Sequence, residues 1–315
     1  YFKSLFLFIK ASNKIKERKI FDFLFKKFTE GFLNQKAARD IITYNLFNKL
    51  FKKIKCNELV LYSCENYALE VAFNSVIRRH MDVKICGYAH TVVRRWDLRY
   101  LRSSKFPKKL IPDKILVNRE IDKRNLEEID HTDSEKILIR SLRYSNLEKV
   151  SPYVYSSKER LNIILFLSYS NQKNDELIEC FIKASKDLDY KFDLYIKFHP
   201  VKNYEISANL QYQRIEDLYT FLNNSTFKTI CIINSYTSVG LECNHLNLPI
   251  IDKTDEERLP FSSLEETSNV KRVKDANEMQ KYLKLFFNSD FRNPSSYKNS
   301  FNFEPIERTI RSIYE

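Results

Sequence analysis

Glycine is the residue this chain lacks most, with three in 315 residues where average usage is roughly 7%. Because Gly31, Gly87 and Gly240 lie far apart, neither a GxGxxG fingerprint nor a Walker A loop can form. The sequence therefore excludes the dinucleotide oxidoreductases and P-loop nucleotidases that depend on those loops. Any phosphate site must use helix N-termini, hydroxyls and cationic side chains instead.

Paired cysteines, metal-ligand clusters and long apolar runs are also missing. The six cysteines form no CxxC pair, and several lie in apolar runs such as TICIIN, where cysteine behaves as a small hydrophobe. This favours free thiols in a reducing compartment and predicts a cytoplasmic location. No apolar run approaches the roughly 20 residues that span a bilayer. No set of His, Cys and carboxylates has metal spacing, so neither a metal nor a cofactor is expected.

The positive charge is concentrated at the start of the chain. Residues 1–55 hold 14 Lys/Arg against 4 Asp/Glu, and the whole chain has a net charge of +12. This basic helical lead either contacts an anionic membrane surface, as a peripheral attachment at the inner membrane, or presents a solvated helix face. Nucleic-acid binding is not expected, because the basic excess ends where the folded pattern begins.

From about residue 35 onward, short apolar runs alternate with segments of helical spacing. Strands separated by helices imply right-handed crossovers and parallel sheets, so the predicted fold class is α/β with two doubly wound, Rossmann-like sheets. The predicted domains are residues 1–148 and 149–315, with a Ser- and Pro-containing linker at 145–160. The predicted strands are 58–63, 83–89, 113–118, 136–141, 161–168, 192–198, 229–234 and 248–252. The predicted helices are 36–55, 65–80, 119–129, 172–188, 215–224, 237–246, 276–288 and 304–314.

Two polar residues follow neighbouring predicted strands in the first domain. Glu65 comes directly after strand 58–63 and His90 directly after strand 83–89, so both are expected at one sheet edge. A carboxylate and an imidazole there can take a proton from an acceptor hydroxyl. Alternatively, Glu65 caps its helix and His90 anchors a loop. Glu70, five residues on, points elsewhere and is assigned to substrate binding.

Three arginines follow in the segment GYAHTVVRRWDLRY. Guanidinium groups present five donors in a fork that suits carboxylates and phosphates. Arg94, Arg95 and Arg99 are therefore candidates for binding an anionic acceptor or a sugar carboxylate. The alternative is an exposed basic loop.

The segment YIKFHP ends a strand of the second domain. Pro200 fixes the turn and holds His199 at the strand end, with Lys197 two residues back on the same face. A histidine in this position can bind or protonate a departing phosphate oxygen. It can also simply end a strand, because HP alone is a weak signal.

The segment IINSYTSVGLE places hydroxyls where a strand gives way to a helix. Asn234 and Ser235 lie in the predicted turn, and Thr237 and Ser238 add hydroxyls and N–H groups at the helix start, which together suit an anion. Glu242, one turn into the helix, can accept from ribose hydroxyls. Ordinary helix capping is the alternative.

HP at a strand end, followed about 35 residues on by Ser and Thr opening a helix, resembles the HP and SS/ST motifs of bacterial sialyltransferases, polysialyltransferases and Kdo transferases. These are GT-B enzymes that use CMP-activated acidic sugars, and their histidine and hydroxyl pair holds the nucleotide phosphate. The resemblance assigns that role to His199 and to Ser235 with Ser238. A group of surface carbohydrate biosynthesis proteins contains segments similar to two segments of this chain, CENYALE and GYAHTVVRRWDLRY. The acidic-pair-and-glycine base motif of sialyltransferases has no match.

The resemblance implies a GT-B glycosyltransferase that moves a sugar from a nucleotide-activated donor, a CMP-sugar being favoured, to a cell-surface glycan or lipid-linked acceptor. The second domain is expected to bind the nucleotide, and the first to bind the acceptor and supply Glu65 or His90 as base. The alternatives are a polyol-phosphate transferase, a nucleotide-sugar 2-epimerase, and a non-catalytic scaffold of polysaccharide assembly.

Overall fold

A computed structural model describes the chain from residue 35 to residue 314 with several gaps, together with residues 22 and 26. The described ranges are 35–54, 58–65, 67–95, 97–150, 153–154, 157–202, 204–206, 209–255, 262–265, 267–289 and 301–314. Most of the predicted basic lead lies outside them, as do Gly31 and Cys56.

The first sheet has four strands in the order β1-β2-β3-β4. They are β1 (Leu59–Ser63), β2 (Lys84–Tyr88), β3 (Lys114–Val117) and β4 (Glu135–Leu138). β1 and β2 pair in parallel over their whole length. Helices α1 (Gln35–Phe51), α2 (Ala68–His80) and α3 (Glu120–Ile129) precede β1, β2 and β4, as the sequence predicts. Two short 3₁₀ helices, Leu98–Tyr100 and Lys108–Leu110, lie between β2 and β3.

The second sheet has six strands in the order β10-β9-β8-β5-β6-β7. Every pairing within it is parallel. Its strands are β5 (Ser157–Phe166), β6 (Phe192–Lys197), β7 (Gln213–Arg214), β8 (Phe227–Asn234), β9 (Ile250–Lys253) and β10 (Val270–Val273). Its helices are α4 (Asn171–Ser185), α5 (Leu218–Asn224), α6 (Val239–His245), α7 (Ala276–Asn288) and α8 (Ile306–Tyr314).

Helices cover both faces of the six-stranded sheet, and this explains the apolar runs in the sequence. In β5, Ile163 and Leu165 pack into a core with α4 and α7, whereas Ile164 and Phe166 pack into a second core with α5 and α6. In β8, every residue after Phe227 is buried. A parallel strand buried on both sides reads as a continuous apolar run rather than an alternating one, and TICIIN is such a run.

The chain divides into two compact units. Unit 1 comprises Tyr1–Tyr88, Ser103–Ile115 and Thr132–Glu135, and unit 2 comprises Ala89–Arg102, Leu116–His131 and Lys136–Glu315. Unit 2 therefore contains the whole six-stranded sheet together with the arginine-rich segment that follows β2. The predicted domain boundary between residues 148 and 149 stays a prediction.

The stretch 145–160 differs from the predicted linker. A 3₁₀ helix covers Leu142–Lys149, and β5 already begins at Ser157. Tyr144 and Leu147 are buried in the α5/α6 core of unit 2. Their apolar contacts hold the first part of this stretch against the unit, although its serines and proline resemble a linker in sequence.

Candidate functional site

Polar loops follow the strands of the six-stranded sheet at their carboxyl ends, which lie along one edge of the sheet. Because β5 pairs with both β6 and β8, and strands lie about 4.8 Å apart, the ends of β6 and β8 are separated by roughly 10 Å. The loops after β6 and β8 carry His199 and Ser238, and those after β5 and β9 carry Tyr169 and Asp255. Open α/β sheets bind ligands at this edge, which makes it the candidate site.

The loop after β8 is shaped by its own side chains. Asn234 Oδ1 accepts the N–H of Tyr236 at 3.2 Å, and the Asn234 carbonyl accepts the N–H of Thr237 at 3.1 Å. Thr237 Oγ1 accepts the N–H of Val239, the first residue of α6, at 3.4 Å. These bonds form the turn without glycine. They leave the Ser238 side chain free of a capping bond to its helix.

Ser238 lies in a pocket of about 300 Å³, here called the arginine pocket. Arg143 Nη2 donates to Ser238 Oγ at 3.2 Å, and Arg143 Nη1 donates to the carbonyl of His90 at 3.2 Å. The pocket lies within unit 2 and is lined by three separate regions of the sequence, whose proximity the sequence does not show. Its lining residues are Thr91, Val92, Arg94, Asp97, Arg99, Arg143, Tyr236 and Ser238.

The arginine pocket carries an excess of positive charge. Arg99 forms a two-pronged ion pair with Asp97, with Nε–Oδ1 at 2.8 Å and Nη2–Oδ2 at 2.6 Å. Arg94 Nε is buried and has no hydrogen-bond partner among the described residues, and this desolvation lowers the Arg94 pKa. Three guanidiniums face one carboxylate, so an anion entering the pocket would both offset the charge and supply acceptors.

A cluster of Tyr236, Asp255 and Lys173 holds one wall of the arginine pocket in place. The Tyr236 hydroxyl donates to Asp255 Oδ2 at 3.1 Å, and Lys173 Nζ donates to Asp255 Oδ1 at 2.8 Å. The Lys173 ammonium also lies 5.9 Å from the centre of the Tyr236 ring. The loops after β8 and β9 are thereby tied to the start of α4.

Ser235 and Asn234 face the interior rather than the arginine pocket. Ser235 is 5% exposed, and its hydroxyl donates to Asp252 Oδ1 at 3.0 Å. Burial raises the pKa of Asp252 to about 6. Asn234 is also buried. The hydroxyl of Ser235 is thus engaged inside the unit, and a role for it as a phosphate ligand stays a prediction.

His199 lines a separate pocket of about 660 Å³, here called the histidine pocket, together with Lys197 and Pro200. His199 Nδ1 accepts the N–H of Val201 at 3.4 Å, which leaves Nε2 as the ring donor, and the ring meets Tyr169 edge-on at 5.6 Å. Lys197 Nζ donates to the carbonyl of Glu216 at 2.6 Å. Of the lining residues described, the histidine and arginine pockets share none.

Glu242 is a half-buried carboxyl of α6. The Tyr219 hydroxyl donates to its Oε2 at 2.9 Å. Desolvation raises the Glu242 pKa, while the bond from Tyr219 and the charges of Arg143 and Lys197 oppose that rise. Glu242 lines neither the arginine pocket nor the histidine pocket, so its predicted contact with ribose stays a prediction.

The remaining candidates lie in different surroundings. In unit 1, Glu65 is 3% exposed, and its N–H donates to the Glu70 carboxylate at 2.8 Å. Glu70 also accepts the N–H of Tyr67 at 3.3 Å, so it caps the start of α2. In unit 2, the exposed Arg95 lies 3.7 Å from Glu128 and outside the arginine pocket. A pairing of Glu65 with His90 as base stays a prediction.

Sequence reasoning missed Arg143, Asp97 and Tyr236. Arg143 lies between a predicted strand and the predicted linker, where a lone arginine carries no pattern. Its place in the pocket depends on a contact with Ser238, 95 residues away. Within the described residues, no group of three His, Cys, Asp or Glu could hold a metal ion, and no helix is long and apolar enough to cross a membrane.

Comparisons with solved structures identify similar folds. A protein from Listeria monocytogenes assigned as a UDP-N-acetylglucosamine 2-epimerase has a TM-score of 0.53 and 13% identity, over 88% of this chain and 80% of that chain. The lipopolysaccharide outer core galactosyltransferase WaaB in its apo form has a TM-score of 0.49 and 10% identity, over 80% and 72% of the two chains. No protein-family model matches the sequence, and no curated protein matches it. The fold, with its two parallel sheets, is GT-B-like, as the resemblance implies.

Proposed function

We propose that this chain is a glycosyltransferase that takes a sugar from a nucleotide-activated donor. The observation that carries the proposal is the arginine pocket, in which Ser238 and three guanidiniums converge at the carboxyl edge of a doubly wound sheet. Charge develops on the departing phosphate in the transition state of such a transfer. Fixed donors aimed at that charge stabilise it more than they stabilise the bound substrate.

The residues divide into three roles. Arg94, Arg99, Arg143 and Ser238 hold the phosphate in the arginine pocket. The histidine pocket takes the nucleoside, and His199 Nε2 supplies a proton or hydrogen bond toward the leaving oxygen. Glu65 or His90 acts as the base toward a hydroxyl of a glycan or lipid-linked acceptor. A phosphate neutralised by guanidiniums does not need a divalent cation.

The donor we favour is a CMP-sugar, because the HP sequence of the loop after β6 and the hydroxyls of the loop after β8 resemble the motifs of the CMP-sugar transferases. CMP carries one phosphate. The arginine pocket, with three guanidiniums against one carboxylate, matches that phosphate together with an anionic sugar.

The test compares nucleotides and then turnover. Thermal unfolding is measured with CMP, CDP, UDP and GDP, because a ligand at one hundred times its Kd adds about 2.7 kcal/mol of stability. We expect CMP to give the largest shift, His199→Ala to reduce it, and turnover of the matching donor to persist in EDTA. Absence of a shift with every nucleotide would favour a scaffold. Loss of turnover in EDTA, restored by magnesium, would contradict the assigned role of the guanidiniums.

A nucleotide-sugar 2-epimerase is the second candidate, because the similar fold from Listeria monocytogenes has that assignment. An epimerase converts its nucleotide sugar without an acceptor. Proton NMR of the product separates the two functions: inversion at C2 with no acceptor present supports the epimerase, and acceptor-dependent release of the nucleotide supports the transferase.

A further inference from the structure

A third pocket extends along α5 from the loop after β7 to the first residue of β8. It has a volume of about 540 Å³, within the range of small-molecule sites, roughly 300–1,000 Å³. Asn162, in the middle of β5, and Phe227, the first residue of β8, line it. Ser238 and His199, by contrast, follow the last residues of β8 and β6. We call it the aromatic pocket; it shares no lining residue with the arginine pocket, and it adjoins the histidine pocket through Arg214, Ile215 and Glu216.

Aromatic rings form its apolar wall. Tyr195 and Phe221 lie with ring centres 4.6 Å apart and planes inclined at 60°, and both rings are half-buried. Phe227 adds a third half-buried ring. The face of an aromatic ring is electron-rich, so it attracts the weakly positive C–H groups on one face of a pyranose ring.

Amide and hydroxyl groups complete the lining. Asn224 is exposed at the end of α5 and lines the pocket. Asn162 is 2% exposed, and its Nδ2 donates to Ser225 Oγ at 2.7 Å. The Asn162 Oδ1 accepts no hydrogen bond from the described residues. A buried carbonyl oxygen without a donor is costly, and a hydroxyl-rich ligand has donors to offer to this network.

The charges of the aromatic pocket disfavour an anion. Its charged lining residues are Arg214, Glu216 and Asp217. Arg214 Nε is already paired with Glu216 Oε1 at 2.7 Å. Asp217 Oδ1 accepts the N–H of Thr220 at 2.7 Å, and this bond lowers the Asp217 pKa, so the carboxylate stays ionised. These three side chains carry a net charge of −1, so the pocket does not suit a phosphate or a sulfate.

We propose that the aromatic pocket binds a neutral saccharide, with a pyranose ring against Tyr195 and Phe221 and hydroxyls on Asn224 and the Asn162–Ser225 pair. This inference does not depend on the proposed transferase activity. No residue of the aromatic pocket lines the arginine pocket, so we expect the aromatic pocket to hold a glycan rather than to place it for reaction.

The experiment measures binding of four neutral tetrasaccharides, namely maltotetraose, cellotetraose, N,N′,N″,N‴-tetraacetylchitotetraose and β-1,4-galactotetraose. Isothermal titration and saturation-transfer NMR are applied to the full chain. We expect at least one probe to bind with a Kd of about 1 mM or tighter. Failure of all four at roughly ten times that concentration would overturn the proposal.

Matched variants locate the site. Phe221→Leu keeps an apolar side chain and loses the ring, so we expect binding to weaken about three- to tenfold, while Phe221→Tyr retains it. Asn224→Ala should weaken binding about threefold or more. Its neighbour Asn223 is equally exposed on α5 and does not line the pocket, so Asn223→Ala should bind as the unmodified chain does. Equal effects of the two asparagine variants, or none from Phe221→Leu, would refute the site.

Discussion

Replacing Arg143 with glutamine tests the arginine pocket most directly. In the structure, Arg143 donates one N–H group to Ser238 Oγ and another to the His90 carbonyl, each at 3.2 Å. A guanidinium has five N–H donors, so three are left for a ligand oxygen. Glutamine keeps a polar head but loses the charge and three of the five N–H donors, so the variant tests the charged hydrogen bonds that Arg143 would donate to an anion.

The expected magnitude follows from exposure. Hydrogen bonds to charged groups contribute about 1.5–3 kcal/mol, and the side chain of Arg143 is exposed, so the lower end applies. A loss of about 1.5 kcal/mol weakens the Kd roughly tenfold. Because an exposed charge is screened by salt, the difference in Kd between Arg143→Gln and the unmodified chain should become smaller as the salt concentration rises.

Isothermal titration checks both points. The nucleotide with the largest thermal shift is titrated at low and high NaCl into the unmodified chain, Arg143→Gln and the control Arg124→Gln, which removes an exposed arginine of α3 outside the pocket. Combining Arg143→Gln with Ser238→Ala should cost less than the sum of the single changes, because both side chains contact one phosphate. An Arg143→Gln Kd that matches the control at both salt concentrations would refute the assignment.

Two further predictions concern stability. At Gly87 in β2, an added Cβ would lie 2.6 Å from Cys64 Cβ and 3.3 Å from Pro112 Cγ, so Gly87→Ala should lower the free energy of unfolding by about 1–3 kcal/mol in urea titrations. Gly240→Ala should cost less, because the added Cβ meets the flexible side-chain ends of Ile233 and Leu264; the reverse order would contradict the packing argument. Burial raises the Asp252 pKa from 3.8 to about 6, so the folded state binds the proton more tightly than the unfolded state does. Stability should fall by about 2.4 kcal/mol as the pH rises from 4 to 7, and Asp252→Asn should remove that dependence. An unchanged pH profile in Asp252→Asn would show that another group causes it.

The fold was predictable where strands are buried on both faces. The runs LNIILFLS and TICIIN are apolar throughout because β5 and β8 have helices on both sides, and both are strands in the structure. The sequence missed β7 and β10, which are the two edge strands of their sheet. β7 has two residues, and β10 carries Lys271 and Arg272. Edge strands are often short or charged, which removes the pattern that identifies them.

The candidate site was predictable only in pieces. Ser238, Arg94 and Arg99 were each identified from their position after a strand, but local sequence cannot show that they line one pocket. Ser235 looks like Ser238 in the sequence, and only the packing of Asp252 beneath it shows that its hydroxyl faces inward. Arg143 gave no local signal, because its role arises from a contact across 95 residues.

The wide sequence separation in the arginine pocket has a practical consequence for anyone dissecting this protein. A truncated version starting at residue 149 would keep Tyr236 and Ser238 but lose every guanidinium that lines the pocket. It would also lose Tyr144 and Leu147 from the core beneath α5 and α6. Weak nucleotide binding by such a fragment would therefore reflect missing pocket residues, whereas a fragment that starts at Ala89 retains every residue that lines the pocket.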